Sequence, residues 1–126
     1  MYGRARSVSL QAVSVAAFWS CALVVFILAL IPPTDSIPST GWGGDEHVLA
    51  FSVLTVLGCL AYQPRLMKVI VGLIAYGSLI EILQSFTSYR LGEWSDLFSD
   101  CAGIAIGCLF VLLLLKIRTY ASVAPK

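Results

Sequence analysis

The sequence predicts an all-α integral membrane protein, a four-helix bundle with both termini in the cytoplasm. Its composition is the first observation, because 59% of its 126 residues are hydrophobic and only 12% are charged, whereas roughly a quarter of a typical soluble domain is charged. Four apolar segments are the second, and each is close to the roughly 17–25 residues that a helix needs to cross a bilayer. Backbone groups in lipid must bond to one another, so these segments are expected to be helices.

The helices are expected at about 8–31, 47–63, 67–87 and 96–117, within one domain that covers residues 1–126. The first apolar run ends at Pro32-Pro33. A cleaved signal peptide is the alternative for this run. However, the run exceeds the about 7–15 apolar residues of a signal peptide, and no small-residue cleavage motif follows it. We therefore expect a retained helix.

Charge is distributed unevenly between the two ends of the predicted helices. Basic residues precede the first helix, lie between the second and third, and follow the fourth, which assigns these ends to the cytoplasm. They are Arg4, Arg6, Arg65, Lys68, Lys116, Arg118 and Lys126. The acidic residues lie at or near the opposite ends, where Arg90 is the sole basic residue. The sequence therefore predicts a multi-pass protein of the cell inner (cytoplasmic) membrane with a polar site on its extracytoplasmic side.

Polar residues recur on one face of three of these helices. At about 100° per residue, Glu81 and Gln84 share a narrow stripe on the third helix, and Asp96 and Asp100 share one on the fourth. His47 opens the corresponding stripe of the second helix. Small residues in the stripes let helices approach closely, so the stripes are expected to face each other. With Arg90 from the connecting loop, the candidate ligand-binding residues are His47, Glu81, Gln84, Arg90, Asp96 and Asp100.

Several chemistries suit this set of side chains. An acid inside a membrane costs at least a few kcal/mol and normally pairs or faces a cavity, so Arg90 is expected to pair with Glu81 or to bind an anionic lipid phosphate. The candidates for catalytic acid–base groups are Glu81, Asp96 and His47. Carboxylates and imidazole also suit a divalent cation, but the D-x-x-x-D spacing is common, so no metal and no cofactor is assigned. A network that only clamps helices together is the alternative, especially for Gln84.

The spacing of these residues resembles the VanZ-like family of small bacterial membrane proteins. The second half of the family pattern is roughly E-x-x-Q, then R, then D-x-x-x-N-x-x-G-x-x-x-G, and an earlier histidine is followed by an aromatic residue four positions on. This chain matches the pattern with Glu81, Gln84, Arg90, Asp96, Asp100, Gly103 and Gly107, and with His47 and Phe51. It departs from the pattern in two places. Asp100 stands where the family usually has Asn, and the family's D-K-x-x lead-in to the histidine is absent.

The resemblance implies a role in the cell envelope, because the namesake of the family is linked to low-level resistance to the glycopeptide antibiotic teicoplanin. Our first hypothesis is a bacterial protein that binds a lipid or lipid-linked glycan headgroup at the polar site and thereby affects envelope properties or glycopeptide resistance. One alternative is a membrane enzyme acting on a lipid-linked substrate. Another is a structural or partner subunit with a helix-clamping polar network.

The expected partners are the lipid bilayer and an anionic lipid or lipid-linked glycan. Association with a second copy of the chain, as a homo-oligomer, is left open. A formal net charge of +1 gives no indication of a nucleic-acid partner.

Overall fold

The computed structural model describes residues 2–32, 43–63, 65–89 and 93–123. These ranges contain four α-helices and no strand: α1 (Tyr2–Leu30), α2 (Gly43–Ala61), α3 (Leu66–Ser85) and α4 (Trp94–Val123). Each helix contains a stretch that is long and apolar enough to cross a membrane, and each exposes large apolar side chains. The predicted all-α membrane fold with four helices is confirmed. The side of the membrane on which the termini lie stays a prediction.

Three helices extend beyond their expected ends. α1 begins at Tyr2 rather than at about residue 8, and α4 continues to Val123 rather than to about residue 117. Arg and Lys are good helix formers, so these helices have no local reason to stop where the apolar run stops. α2 begins ahead of residue 47, with Asp45 and Glu46 in its first turn. Acidic side chains there complement the partial positive charge of the helix N-terminus.

The four helices alternate in direction along the bundle. The end of α1 lies beside the end of α3, where the hydroxyl of Tyr89 donates to the carbonyl of Leu30 at 2.8 Å. At the other end of the bundle, α1 meets the turn between α2 and α3, where Trp19 Nε1 donates to the hydroxyl of Tyr62 at 2.8 Å. The starts of α2 and α4 and the end of α3 therefore lie at the same end of the bundle.

α2 makes the most extensive contacts in the bundle, since it packs against each of the other three helices and most extensively against α4. Two glycines of α4 allow this close approach. A Cβ on Gly103 would lie 2.5 Å from the carbonyl oxygen of Val48, and one on Gly107 would lie 2.6 Å from Thr55 Cβ. The hydroxyl of Ser52 also donates to the Gly103 carbonyl at 3.0 Å. The G-x-x-x-G stripe of α4 thus faces α2, as small residues at helix interfaces often do.

The most deeply buried large apolar side chains belong to α2 and α3. Phe51, Leu54 and Ile80 are almost completely buried. α1 is attached to this core partly through its backbone, since the hydroxyl of Tyr76 donates to the carbonyl of Ala22 at 2.5 Å. The core therefore fixes the relative positions of the helix ends that carry the candidate site.

Candidate functional site

Four ionisable side chains from three helices meet at one end of the bundle. His47 lies near the start of α2, Glu81 near the end of α3, and Asp96 and Asp100 near the start of α4. We call these four residues the polar cluster. The structure therefore brings together four of the six candidate ligand-binding residues, and their role in binding stays a prediction.

The shortest contact in the polar cluster joins α2 to α4. His47 Nδ1 lies 2.8 Å from Asp100 Oδ1, which is hydrogen-bond distance. The Asp100 side chain is 1% exposed and that of His47 is 12% exposed. A buried carboxylate at Nδ1 fixes the orientation of the imidazole ring and leaves Nε2 for other contacts.

Asp100 fits at this interface because the facing residue of α3 is a glycine. A Cβ on Gly77 would lie 2.5 Å from Asp100 Oδ2 and 3.2 Å from Phe51 Cζ. Any larger residue would displace the carboxylate or the phenyl ring. Gly77 thus provides the space in which the Asp100 carboxylate meets His47.

The second ring nitrogen of His47 faces the remaining acids of the polar cluster. His47 Nε2 lies 3.8 Å from Asp96 Oδ2. One potential ligand atom from each of His47, Glu81 and Asp96 lies within 4.8 Å of the other two. The Asp96 side chain is 22% exposed, so this part of the cluster is more accessible than the buried Asp100.

Two carboxylate oxygens of the polar cluster are buried and have no hydrogen-bond partner within the described part of the chain. They are Glu81 Oε1 and Asp100 Oδ2. Buried oxygens of acidic groups normally meet a donor or a cation, because leaving them unpaired is costly. The cluster contains three acids and one imidazole. It is therefore suited to a ligand that donates hydrogen bonds or carries positive charge.

Two surface grooves adjoin the polar cluster. One has a volume of about 400 Å³ and is lined by Glu81 together with Ser78, Ser85 and Trp94. The other has a volume of about 280 Å³ and lies between α1 and α2, where His47 lines its wall. A molecule at the apolar surface of the bundle can therefore reach the cluster from either groove.

Gln84 contributes to helix packing instead of joining the polar cluster. Its side chain is 1% exposed, and Nε2 donates to the carbonyl of Ala29 at 2.9 Å. This bond ties α3 to α1, which favours the helix-clamping alternative for Gln84. Arg90 lies outside the described residues, so its pairing with Glu81 stays a prediction.

The sequence prediction omits Ser78, which lines the groove beside Glu81 together with Ser85. Ser78 is three residues before Glu81 and Ser85 is four residues after it. This spacing places the three side chains on one face of a helix. The serine–glutamate–serine spacing was therefore a usable sequence signal for one wall of the groove.

Comparison with known proteins agrees with the residue pattern. A model of the family described as VanZ/LLP1 matches residues 6–115, a range that includes the whole polar cluster. No curated protein and no solved structure matches the chain. The predicted resemblance is confirmed over most of the sequence. The chain belongs to the VanZ/LLP1 family.

Proposed function

We propose that this VanZ-like protein binds the headgroup of an envelope lipid or lipid-linked glycan at the polar cluster, on the extracytoplasmic side of the bacterial inner membrane. The observation that carries the proposal is the position of the cluster beside two surface grooves. A lipid chain can lie along such a groove while its headgroup reaches Glu81 or His47.

The chemistry of the cluster favours a headgroup with several donors. Glu81 Oε1 and Asp100 Oδ2 are acceptors that lack a partner within the described residues. Sugar hydroxyls and amines can donate to carboxylates, and they can donate to the hydroxyl oxygens of Ser78 and Ser85, whose own protons are donated to helix carbonyls. A polyhydroxylated headgroup therefore matches the groove beside Glu81 better than a purely apolar ligand does.

The phosphate of such a lipid is assigned to Arg90, whose guanidinium can bind two phosphate oxygens at once. Arg90→Ala and Arg90→Lys are both expected to weaken the retention of an anionic lipid. The lysine variant should show the milder loss, because it keeps the charge but not the planar fork of donors. Native mass spectrometry of the two purified variants measures this difference.

Glu81→Gln tests the proposal directly in protein purified from bacterial membranes. We expect native mass spectrometry to detect about tenfold less retained lipid, because a hydrogen bond to a charged group contributes about 1.5–3 kcal/mol. Asp45→Asn is the matched control, since it removes an exposed acid from the start of α2 and should leave retention unchanged. Equal retention in wild type and Glu81→Gln would contradict headgroup binding by Glu81.

An effect on glycopeptide resistance follows if the bound lipid is one whose amount or position alters access of the drug to its target. Expression of the wild-type chain in a susceptible strain is then expected to raise the teicoplanin concentration that inhibits growth, whereas Glu81→Gln should not. Equal susceptibility to teicoplanin with and without the wild-type chain would show that lipid binding by this protein does not confer resistance.

Acid–base catalysis on the same lipid is a second candidate function, favoured by the contact between His47 and Asp100. A carboxylate that orients an imidazole is a common arrangement for a general base. Incubation of wild-type protein with a membrane lipid extract would then yield a new lipid species that His47→Gln does not produce. Retention of lipid without conversion supports binding alone.

A further inference from the structure

We propose that His47, Glu81 and Asp96 bind a divalent transition-metal ion, with Asp100 as the residue that positions the histidine. The three ligand side chains come from α2, α3 and α4, and one potential ligand atom from each lies within 4.8 Å of the other two. One imidazole nitrogen and two carboxylate oxygens are a donor set that suits Zn²⁺ or Mn²⁺.

The distances between these atoms require little movement for metal binding. In a tetrahedral site with bonds of about 2.1 Å, ligand atoms are about 3.4 Å apart, so the widest pair would approach by at most about 1.4 Å. His47 Nε2 and Asp96 Oδ2 are already 3.8 Å apart. Three protein ligands leave at least one coordination position for another molecule.

Asp100 supports this assignment because it holds the opposite nitrogen of the same ring. Metal-binding histidines commonly bond through their second ring nitrogen to a carboxylate, which fixes the tautomer and strengthens the ligand. The 2.8 Å contact between His47 Nδ1 and Asp100 Oδ1 provides this arrangement. Gly77 leaves the space in which the Asp100 carboxylate lies.

A second, independent observation points to a positively charged ligand. Glu81 Oε1, an oxygen of one of the three ligand side chains, is buried with no hydrogen-bond partner among the residues described. Three acids beside one imidazole leave an excess of negative charge that a divalent cation would offset.

The cation also offers a means of binding phosphate, and this one step rests on the proposed function. Acidic side chains alone repel a phosphate group. A divalent ion held among them leaves a free coordination position that a headgroup phosphate oxygen can occupy. The metal would then connect the acidic cluster to an anionic lipid.

The test uses the full chain in detergent, purified without a histidine tag and freed of metal with EDTA. His47 is the only histidine in the sequence, so ¹⁵N-imidazole labelling gives one residue's NMR signals. Addition of Mn²⁺ alone is expected to broaden these signals at one equivalent, and elemental analysis should find one Mn²⁺ per chain. Zn²⁺ should displace the Mn²⁺ and restore the signals.

Glu81→Gln and Asp96→Asn are each expected to weaken Mn²⁺ binding about tenfold or more, because each removes one charged ligand. Unchanged imidazole chemical shifts before metal addition would show that the contact with Asp100 survives in these variants. Asp45→Asn is the control and should bind as the wild type does. Absence of stoichiometric Mn²⁺ and Zn²⁺ binding, or equal affinity in all four proteins, would overturn the proposed metal site.

Lipid retention measured with and without EDTA separates this inference from the proposed function. Loss of retained anionic lipid in EDTA, with recovery on addition of Mn²⁺, supports the bridging metal. Lipid retained equally in EDTA would overturn the bridge and leave headgroup binding intact. Metal binding without any retained lipid would support the metal site and contradict headgroup binding.

Discussion

Asp100 organises the polar cluster even though it is the least exposed of the three acids. Its Oδ1 atom contacts His47 Nδ1, a contact that the asparagine expected from the family pattern could also make. An asparagine carbonyl can accept the same hydrogen bond, since Asn and Asp differ only at the second atom of the terminal group. The acid adds a second oxygen, Oδ2, which is buried. The departure from the family pattern is therefore compatible with the histidine contact and adds an ionisable group.

Gly77→Ala is expected to destabilise the protein by about 1–3 kcal/mol, because added atoms in a packed core force neighbours to shift. The new Cβ would lie 2.5 Å from Asp100 Oδ2, and the carboxylate can move away only by straining its contact with His47. Thermal unfolding in detergent measures the change.

Gly72→Ala is the matched control, because it is the same change in the same helix with nothing within 4 Å of the new Cβ. It should stabilise α3 by about 0.5–1 kcal/mol through helix propensity. Similar melting temperatures for the two variants would mean that Gly77 is not needed for the fit of Asp100.

At the scale of helices, the pairing of α2 with α4 determines where the polar cluster forms. The two helices approach closely at Gly103 and Gly107, and the hydroxyl of Ser52 bonds across the interface. His47 and Asp100 lie on the same interface. The spacing between these two helices therefore controls the geometry of the histidine contact.

Gly103→Leu is expected to separate α2 from α4 and to prevent a stable bundle. A Cβ at this position would already lie 2.5 Å from the backbone oxygen of Val48, which cannot move without moving α2. Ala105→Leu introduces the same side chain on an exposed face of the same helix and should be nearly neutral. Size-exclusion chromatography in detergent compares the two variants. A monodisperse, folded Gly103→Leu protein would show that the bundle does not need the close contact between α2 and α4 at Gly103.

The helices could be predicted from the sequence, whereas some of their contacts could not. The length of each apolar segment and the need for its backbone groups to bond to one another in lipid are properties of that segment alone. The four helices can therefore be predicted without knowing how they pack. The convergence of His47, Glu81, Asp96 and Asp100 follows from the helical period. The partner of Gln84 does not, because its acceptor is a backbone carbonyl of α1. Every residue of a helix carries such a carbonyl, so no sequence pattern marks one of them.

For the whole molecule, the orientation in the membrane determines which leaflet supplies the lipids that can reach the polar cluster. The basic residues predict that the cluster lies on the extracytoplasmic side. Cysteine labelling can test this in a chain whose native cysteines, all free, are replaced by alanine. Glu93→Cys is expected to react with a membrane-impermeant maleimide in intact spheroplasts, because Glu93 is exposed just before α4.

Arg118→Cys provides the opposite case, because Arg118 is exposed near the far end of α4. This variant should react only after the membrane is permeabilised. The reverse pattern would place the polar cluster in the cytoplasmic half and would rule out an outer-leaflet lipid as its ligand.

His47 and Asp100 are 53 positions apart in the chain, so α2 leaves the ribosome well before its main packing partner has been made. At about 5–20 residues per second, the delay lasts several seconds. α2 is also the least hydropathic of the four spans, so it is the one least able to remain stably in lipid without neighbours. Insertion of α4 therefore completes both the fold and the polar cluster in one late step. A chain that stalls before α4 would lack the Asp96 and Asp100 carboxylates that approach His47.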